Sequence, residues 1–453
     1  MIAWGRFSSK LTSLSYSALV TTSTTDPRPP SAVSDGTGIA GLVGLAVWVV
    51  IARIYGMSGP HAALTALLAC GVPMVLWSIL VDRVHRNPGT GIDWDAPPRP
   101  LRETLDVSLV KLGGLFATWG GIAVAYAIGR WYWQGNYLFA MRMLSWGIVP
   151  VAIAAVPYVI WLDRRLVEPR DNAWHFGQML VGGTGRDKPD AARIHEHLRQ
   201  WFVKAFFLAF MLSIIPGNWA DAVRWPNWEI VQNPVSLARY LIGAMFMIDV
   251  TFATVGYLLT MRTLDAHIRS ASPFASGWAA ALICYPPFIL MGQGSPFDYQ
   301  RGTADWSWWL QGHPVVLGLF GFVLVALTAF YAWATVAFGL RFSNLTHRGI
   351  LTHGPYAITK HPAYLAKTTF WWCASLPFLS VAGSLTEAAR NSAILAIVTG
   401  VYYWRARTEE RHLGLDPAYR VYAAWMERNG PVPRLIAWAR GKPDPVAVAV
   451  AAE

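Results

Sequence analysis

Charge is scarce in this chain: only 14% of its 453 residues are Asp, Glu, Lys or Arg, against 54% hydrophobic ones. Soluble domains carry about a quarter charged residues, so the two or three soluble domains that the length alone would suggest are excluded. Cysteine is scarcer still. Cys70, Cys284 and Cys373 all fall in apolar stretches, with neither metal-ligand spacing nor a disulfide framework, and read as packed thiols. No internal repeat is visible, and no basic stripe. The net charge of +11 comes from Lys and Arg spread over short connections, which leaves no nucleic-acid footprint. Residues 1–36, rich in Ser and Thr and containing Asp26-Pro27-Arg28-Pro29-Pro30, lack the apolar core of a secretory signal and read as a mobile tail.

What the chain has instead is long apolar runs. Segments of about 20 apolar residues cross a bilayer as helices, and ten candidates are marked at 38–57, 62–82, 106–128, 143–162, 201–217, 237–261, 276–291, 314–339, 363–381 and 391–404. The fifth and seventh are short, which fits a tilted or re-entrant element. The fold class is therefore all-α, a polytopic membrane helical bundle of about ten transmembrane helices. The 24 Trp and 17 Tyr suit interfacial belts. The connections after the even-numbered segments hold sixteen Lys and Arg and the others six, a bias that places both termini in the cytoplasm. The Ala, Gly, Trp and Arg usage fits a bacterial source and hence a bacterial inner membrane. Beyond Arg405 the chain is amphipathic until Gly430 and Pro431, as expected of helices lying on the cytoplasmic surface. The units read as a tail (1–36), a bundle (37–340), a C-terminal module (341–430) and a second tail (431–453).

The best site candidate is the stretch from Gly354-Pro355-Tyr356 to Lys360-His361-Pro362-Ala363-Tyr364-Leu365. Pro362 suits the first turn of a helix, where its missing N–H costs nothing, and pushes His361 into extended backbone just outside it. That helix end favours anions. The tenth segment delivers Glu409 and Glu410 past the same interface, so two distant pieces of chain converge. The bland reading of the acids is local pairing, Arg405 with Glu409 and Arg407 with Glu410, at helical spacing. Asp249 lies inside the sixth segment, followed by Thr251, Thr254 and Tyr257, and an acid at that depth is a functional hypothesis by default; Asp249 and Tyr257 are candidates for contact with substrate. Asp265, His267 and Arg269 beyond it, and 163–199 with His175, His195 and His197, are expected to be solvated loops, with no metal bound.

The Gly-Pro-Tyr run, the Lys-His-Pro-Ala-Tyr-Leu run, a helical hairpin and the Glu-Glu pair with Leu413, Tyr419 and Tyr422 beyond together resemble the isoprenylcysteine carboxyl methyltransferases and the related phospholipid N-methyltransferases. The resemblance covers about 342–428. It implies an enzyme that binds S-adenosylmethionine through Gly354, Pro355, Tyr356, His361, Tyr364, Leu365, Glu409 and Glu410, with Arg407, Glu410 and His361 in catalytic positions. The acceptor would be lipid-like or prenylated, a carboxyl or an amine, reached from the membrane lipids. Lys360 replaces the usual Arg, and Ala366-Lys367 stand where a Gly often follows, which suggests a distinct branch. The same region also resembles the membrane sterol reductases, which implies the alternative of a nicotinamide cofactor, with NADPH as the reductant and Asp249 and Tyr257 as proton donors.

Overall fold

The computed structural model describes residues 28–224, 226–431, 434–435 and 439–440. Seven described helices are long and apolar enough to cross a membrane, which makes this an integral membrane protein: α1 (Asp35–Ile54), α2 (Pro60–Leu80), α3 (Leu101–Ile128), α4 (Tyr137–Asp163), α6 (Ala191–Val223), α8 (Pro234–Leu258) and α11 (Pro314–Ala337). Between them lie the shorter α5 (Asn172–Leu180), α7 (Trp228–Gln232), α9 (Ala275–Leu282) and α10 (Trp306–Trp309). The chain closes with α12 (Pro362–Ser375), α13 (Leu385–Leu413) and α14 (Pro417–Asn429). Among the described residues strand is confined to β1 (Ser270–Ala271) and β2 (Thr346–His347), paired antiparallel with Ser270 opposite His347.

Helix starts follow local chemistry. Ser34 caps α1 and Ser384 caps α13 through their hydroxyls, Asn233 caps α8 through its amide, and α8, α11 and α12 all open on proline, as expected where orphan N–H groups need side-chain acceptors. The main core packs α1, α2, α6 and α8 around Leu45, Met74, Ile215, Trp219 and Phe252.

Three expectations change. The apolar run 276–291 is not one helix: α9 ends at Leu282, and 283–300 follows an irregular path, because Pro286, Pro287 and Pro296 each lack the N–H that would continue a helix. The run 363–381 is helical only to Ser375, and Leu376 turns left-handed at φ 41°, since Pro377 disfavours helical backbone in the residue before it. The stretch 163–199 is not a loop: it holds α5 and the first turns of α6, and His197 is buried with its Nε2 2.8 Å from the Thr118 hydroxyl.

The connections sort to two ends. At one, the Asp93 N–H bonds Arg165 O at 2.8 Å, Asn87 reaches Asp265 at 3.1 Å, and the Arg269 N–H bonds His347 O at 2.9 Å. The tail expected over 1–36 is corrected in its described part, 28–36, which joins this end through the Ala32 N–H on Ile350 O at 2.8 Å and begins α1 at Asp35; residues 1–27 lie outside the described residues, as does most of 431–453. At the other end, Arg239 bonds Asp305 at 2.6 Å and the Val381 N–H bonds Gly302 O at 3.0 Å. The first is the basic end, since it gathers the Lys- and Arg-rich connections.

Candidate functional site

α12 and α13 run antiparallel, and their chemistry meets at the basic end. His361 precedes Pro362 in non-helical backbone (φ −133°, ψ 59°), so its ring is free of the helix and turns toward α13. The His361 Nε2 lies 3.0 Å from Glu410 Oε1. Lys360 Nζ lies 2.8 Å from the same oxygen, and Arg407 donates to Glu410 Oε2 at 2.5 Å. Burial by itself would raise the Glu410 carboxyl pKa, but the hydrogen bonds and charges of His361 and Lys360 outweigh it and hold it at about 2. Glu409 has a different partner, the Tyr364 hydroxyl, which donates to its Oε2 at 2.9 Å. The His361 and Tyr364 rings stack, 5.7 Å apart and 11° from parallel.

These residues border a pocket roofed by α14 and walled by α11, α12, α13 and the segment 341–351. About 1090 Å³ of space free of protein atoms lies within it, the open solvent at its mouth included. Seven tyrosines line it: Tyr285, Tyr331, Tyr356, Tyr364, Tyr402, Tyr419 and Tyr422. Tyr422 donates to Tyr356 O at 2.7 Å, which fixes the roof to the Gly354–Ala357 turn. The Tyr419 hydroxyl is buried with no hydrogen-bond partner among the described residues, a condition that a polar ligand would relieve.

Of the expected cofactor residues, Tyr356, His361, Tyr364 and Glu409 line the pocket. Glu410 and Arg407 sit at its rim, joined to it through Lys360 and His361. Gly354, Pro355 and Leu365 lie outside the lining. Gly354 instead makes the turn possible: its φ is +55°, and a Cβ there would stand 3.3 Å from the Trp333 ring. Leu365 is 55% exposed.

Asp249 and Tyr257 stand one layer behind the wall. Asp249 accepts from the Tyr331 hydroxyl at 3.0 Å and from Thr335 Oγ1 at 2.5 Å, and both donors line the pocket. The Tyr257 hydroxyl accepts from Asn344 N at 2.8 Å and Asn344 Nδ2 at 3.0 Å. Of the loop expected to be solvated, Arg269 is exposed, but Asp265 is not: it is 3% exposed and accepts from Arg341, itself on the pocket wall, at 2.9 Å. Arg348 is buried nearby and donates to the carbonyls of Gly256, Phe342, Ala266, Leu259 and Leu340. One guanidinium thus ties the end of α8 to the chain leaving α11.

The lining residues that sequence reasoning passed over are chiefly Arg405, Lys367, Tyr331 and Asn344. Lys367 lies within an apolar run and Arg405 one residue beyond another, a placement that itself marks function in membrane helices. The expected Arg407–Glu410 pair forms, whereas Arg405 turns from Glu409 to the Asn344 side chain at 3.2 Å. Among the described residues no group of three or more His, Cys, Asp and Glu is arranged to hold a metal ion. Comparison of the chain with protein-family models, with curated proteins and with solved structures finds no match.

Proposed function

We propose that this protein is an S-adenosylmethionine-dependent membrane methyltransferase whose acceptor is lipid-like or prenylated. The observation that carries the proposal is the pairing of Tyr364 with Glu409 and of His361 with Glu410 across 45 and 49 residues of sequence, at the border of one tyrosine-walled pocket. That donor set suits the cofactor. Glu409 is an acceptor for an amine or ribose hydroxyls, the orphan Tyr419 hydroxyl is a further polar partner, and aromatic faces favour a sulfonium.

The bound cofactor would supply a methyl already activated for transfer, so the chain's own task is alignment and exclusion of water, effects that proximity makes worth several kcal/mol. Glu410 holds the His361 ring in place. With an amine acceptor, His361 is the group placed to take the proton; a carboxyl acceptor needs no base.

In this reading the chain makes ten crossings: the seven long helices, the broken passage 275–301, α12 and α13. Irregular backbone at membrane depth is tolerated where it lines a cavity, and Tyr285 of the broken passage does so. The basic end faces the cytoplasm of a bacterial inner membrane, both termini lie there, and the cofactor enters from that side while the acceptor arrives from the membrane lipids.

One observation favours a second reading. Tyr331 lines the pocket and is bonded to the buried Asp249, a proton-donating pair that an NADPH-dependent reductase of the sterol reductase type would use. Titration calorimetry of the purified full chain with S-adenosylmethionine and with NADPH separates the two: saturable binding of the first alone is expected, and binding of NADPH alone would overturn the proposal.

A further inference from the structure

Residues 28–35 lie outside the stretch that the resemblance covers, yet they run beside the wall and roof of the pocket. Hydrogen bonds hold them to 350–353. The Ala32 N–H bonds Ile350 O at 2.8 Å, Arg28 donates to Thr352 O at 3.2 Å, and the Thr352 hydroxyl donates to Pro29 O at 3.0 Å. His353 stands between Ser31 Oγ, 2.5 Å from its Nδ1, and Asp35, 3.3 Å from its Nε2. The two segments pass so closely that a Cβ at Gly349, whose φ is +115°, would stand 2.5 Å from the Ala32 Cβ.

The segment they hold is the seat of the roof. Ile350 and Leu351 line the pocket; Ile350 packs with Tyr419, Tyr422 and Met426 of α14, and Val33 packs with Leu351 and Tyr356. Arg28 reaches α14 itself, its guanidinium carbon 4.5 Å from the centre of the Trp425 ring. At the other end Ser34 donates at 2.6 Å to Asp82, just past α2. One short piece of chain thus joins the transmembrane bundle to the helix that covers the pocket.

That helix has few other holds. Beyond its packing on Ile350, α14 is fixed by Tyr422 to Tyr356 O at 2.7 Å, by Asp416 beside His347 at 3.1 Å and by Glu427 to Lys360 at 3.3 Å. Among the described residues no other helix packs closely along it. Elements with few buried contacts open most readily, and covers over ligand sites are drawn from them. We propose that residues 28–34 are a strap that keeps α14 seated, and that ligand enters and leaves when strap and roof lift together. The proposal rests on the pocket being a ligand site, whichever reaction occurs in it.

The test is amide hydrogen exchange read by mass spectrometry on the full-length protein in detergent, beside the rates at which S-adenosylmethionine binds and dissociates. In the unaltered protein, saturating S-adenosylmethionine is expected to slow exchange in 31–34 and in α14 together; slowing in α14 alone would overturn the proposal without recourse to any variant. A cation over an aromatic ring at a partly exposed site is worth roughly two- to fivefold in an equilibrium. Arg28→Ala should therefore speed exchange in α14 by about that factor and raise both ligand rates with it, leaving Kd nearly unchanged, while Arg28→Lys, which keeps a cation over the ring, stays near the unaltered rates. Exchange in α14 that Arg28→Ala leaves unaltered overturns the proposal, as do unaltered ligand rates beside faster exchange. If exchange in α14 rises in Arg28→Ala and S-adenosylmethionine does not bind, the methyltransferase reading fails and the strap over the roof stands.

Discussion

Glu410→Gln separates ligand binding from folding. The carboxylate is 14% exposed and takes the His361 ring at 3.0 Å and two cations, Lys360 and Arg407, at 2.8 and 2.5 Å; the amide has the same shape, no charge, and one oxygen where there were two. Depression of the Glu410 pKa from 4.5 to about 2 corresponds to roughly 3 kcal/mol of preference for the charged form. His361 and Lys360, which lower it, keep 19% and 18% of their side chains in solvent, so the pairing is partly screened, and the expected loss of stability is about 1–2 kcal/mol. In a bundle of this size that is a shift of a few degrees in Tm. The sign follows from the direction: a lowered carboxyl pKa stabilises above about pH 4.5 and is lost only as pH falls through about 2. Ligand binding is affected more, because a single neutral oxygen cannot hold His361, Lys360 and Arg407 together, which leaves Lys360 with Glu427 as its acid partner at 3.3 Å. We expect S-adenosylmethionine affinity to fall tenfold or more by calorimetry, while thermal unfolding in detergent stays cooperative. Unchanged affinity, or collapse of the fold with no measurable transition, would refute the reasoning.

Other perturbations have distinct outcomes. Gly354→Ala places a side chain in left-handed backbone at φ +55°, expected to cost about 1 kcal/mol, read as a lowered Tm. Asp265→Leu leaves Arg341 buried without its acid, expected to cost about 3–5 kcal/mol, and the double change with Arg341→Met should be less damaging than Asp265→Leu alone, as measured by recovery of monodisperse protein. Arg348→Lys keeps the charge but has three donors for five carbonyls, so it should yield markedly less folded protein. His347 and His412 are held near 4 chiefly by burial, with Asp416 opposing the shift at His347 and Arg269 and Arg341 assisting it. A lowered base pKa stabilises fully above about 6.5 and less toward 4, so Tm should drop between those pH values, and His412→Phe should flatten the drop.

Much of the scaffold was legible because it is written locally. The prolines at 234, 314 and 362 and the caps Ser34 and Asn233 open helices where chemistry says they should. The approach of His361 to Glu410 was legible too, since it needed only the two ends of a helical hairpin to face the same way. What stayed hidden depends on contacts across the fold. Asp265 reads as a loop acid until Arg341, 76 residues on, is seen against it, and Arg348 reads as a topology charge until five carbonyls converge on it. The apolar run 276–291 has the composition of a span, and only the weight of its prolines against that composition decides that it breaks. Gly354 and Leu365 sit within the motif, yet they face a turn and the exterior, because adjacent residues on a helix point in different directions.

Methyl transfer to a membrane lipid can be measured directly. Full-length protein incubated with a membrane lipid extract and S-adenosylmethionine labelled in its methyl group, followed by mass analysis of the lipids, is expected to show label in one acceptor class, with the label greatly reduced in His361→Ala. Saturating NADPH binding together with no labelled lipid would contradict it.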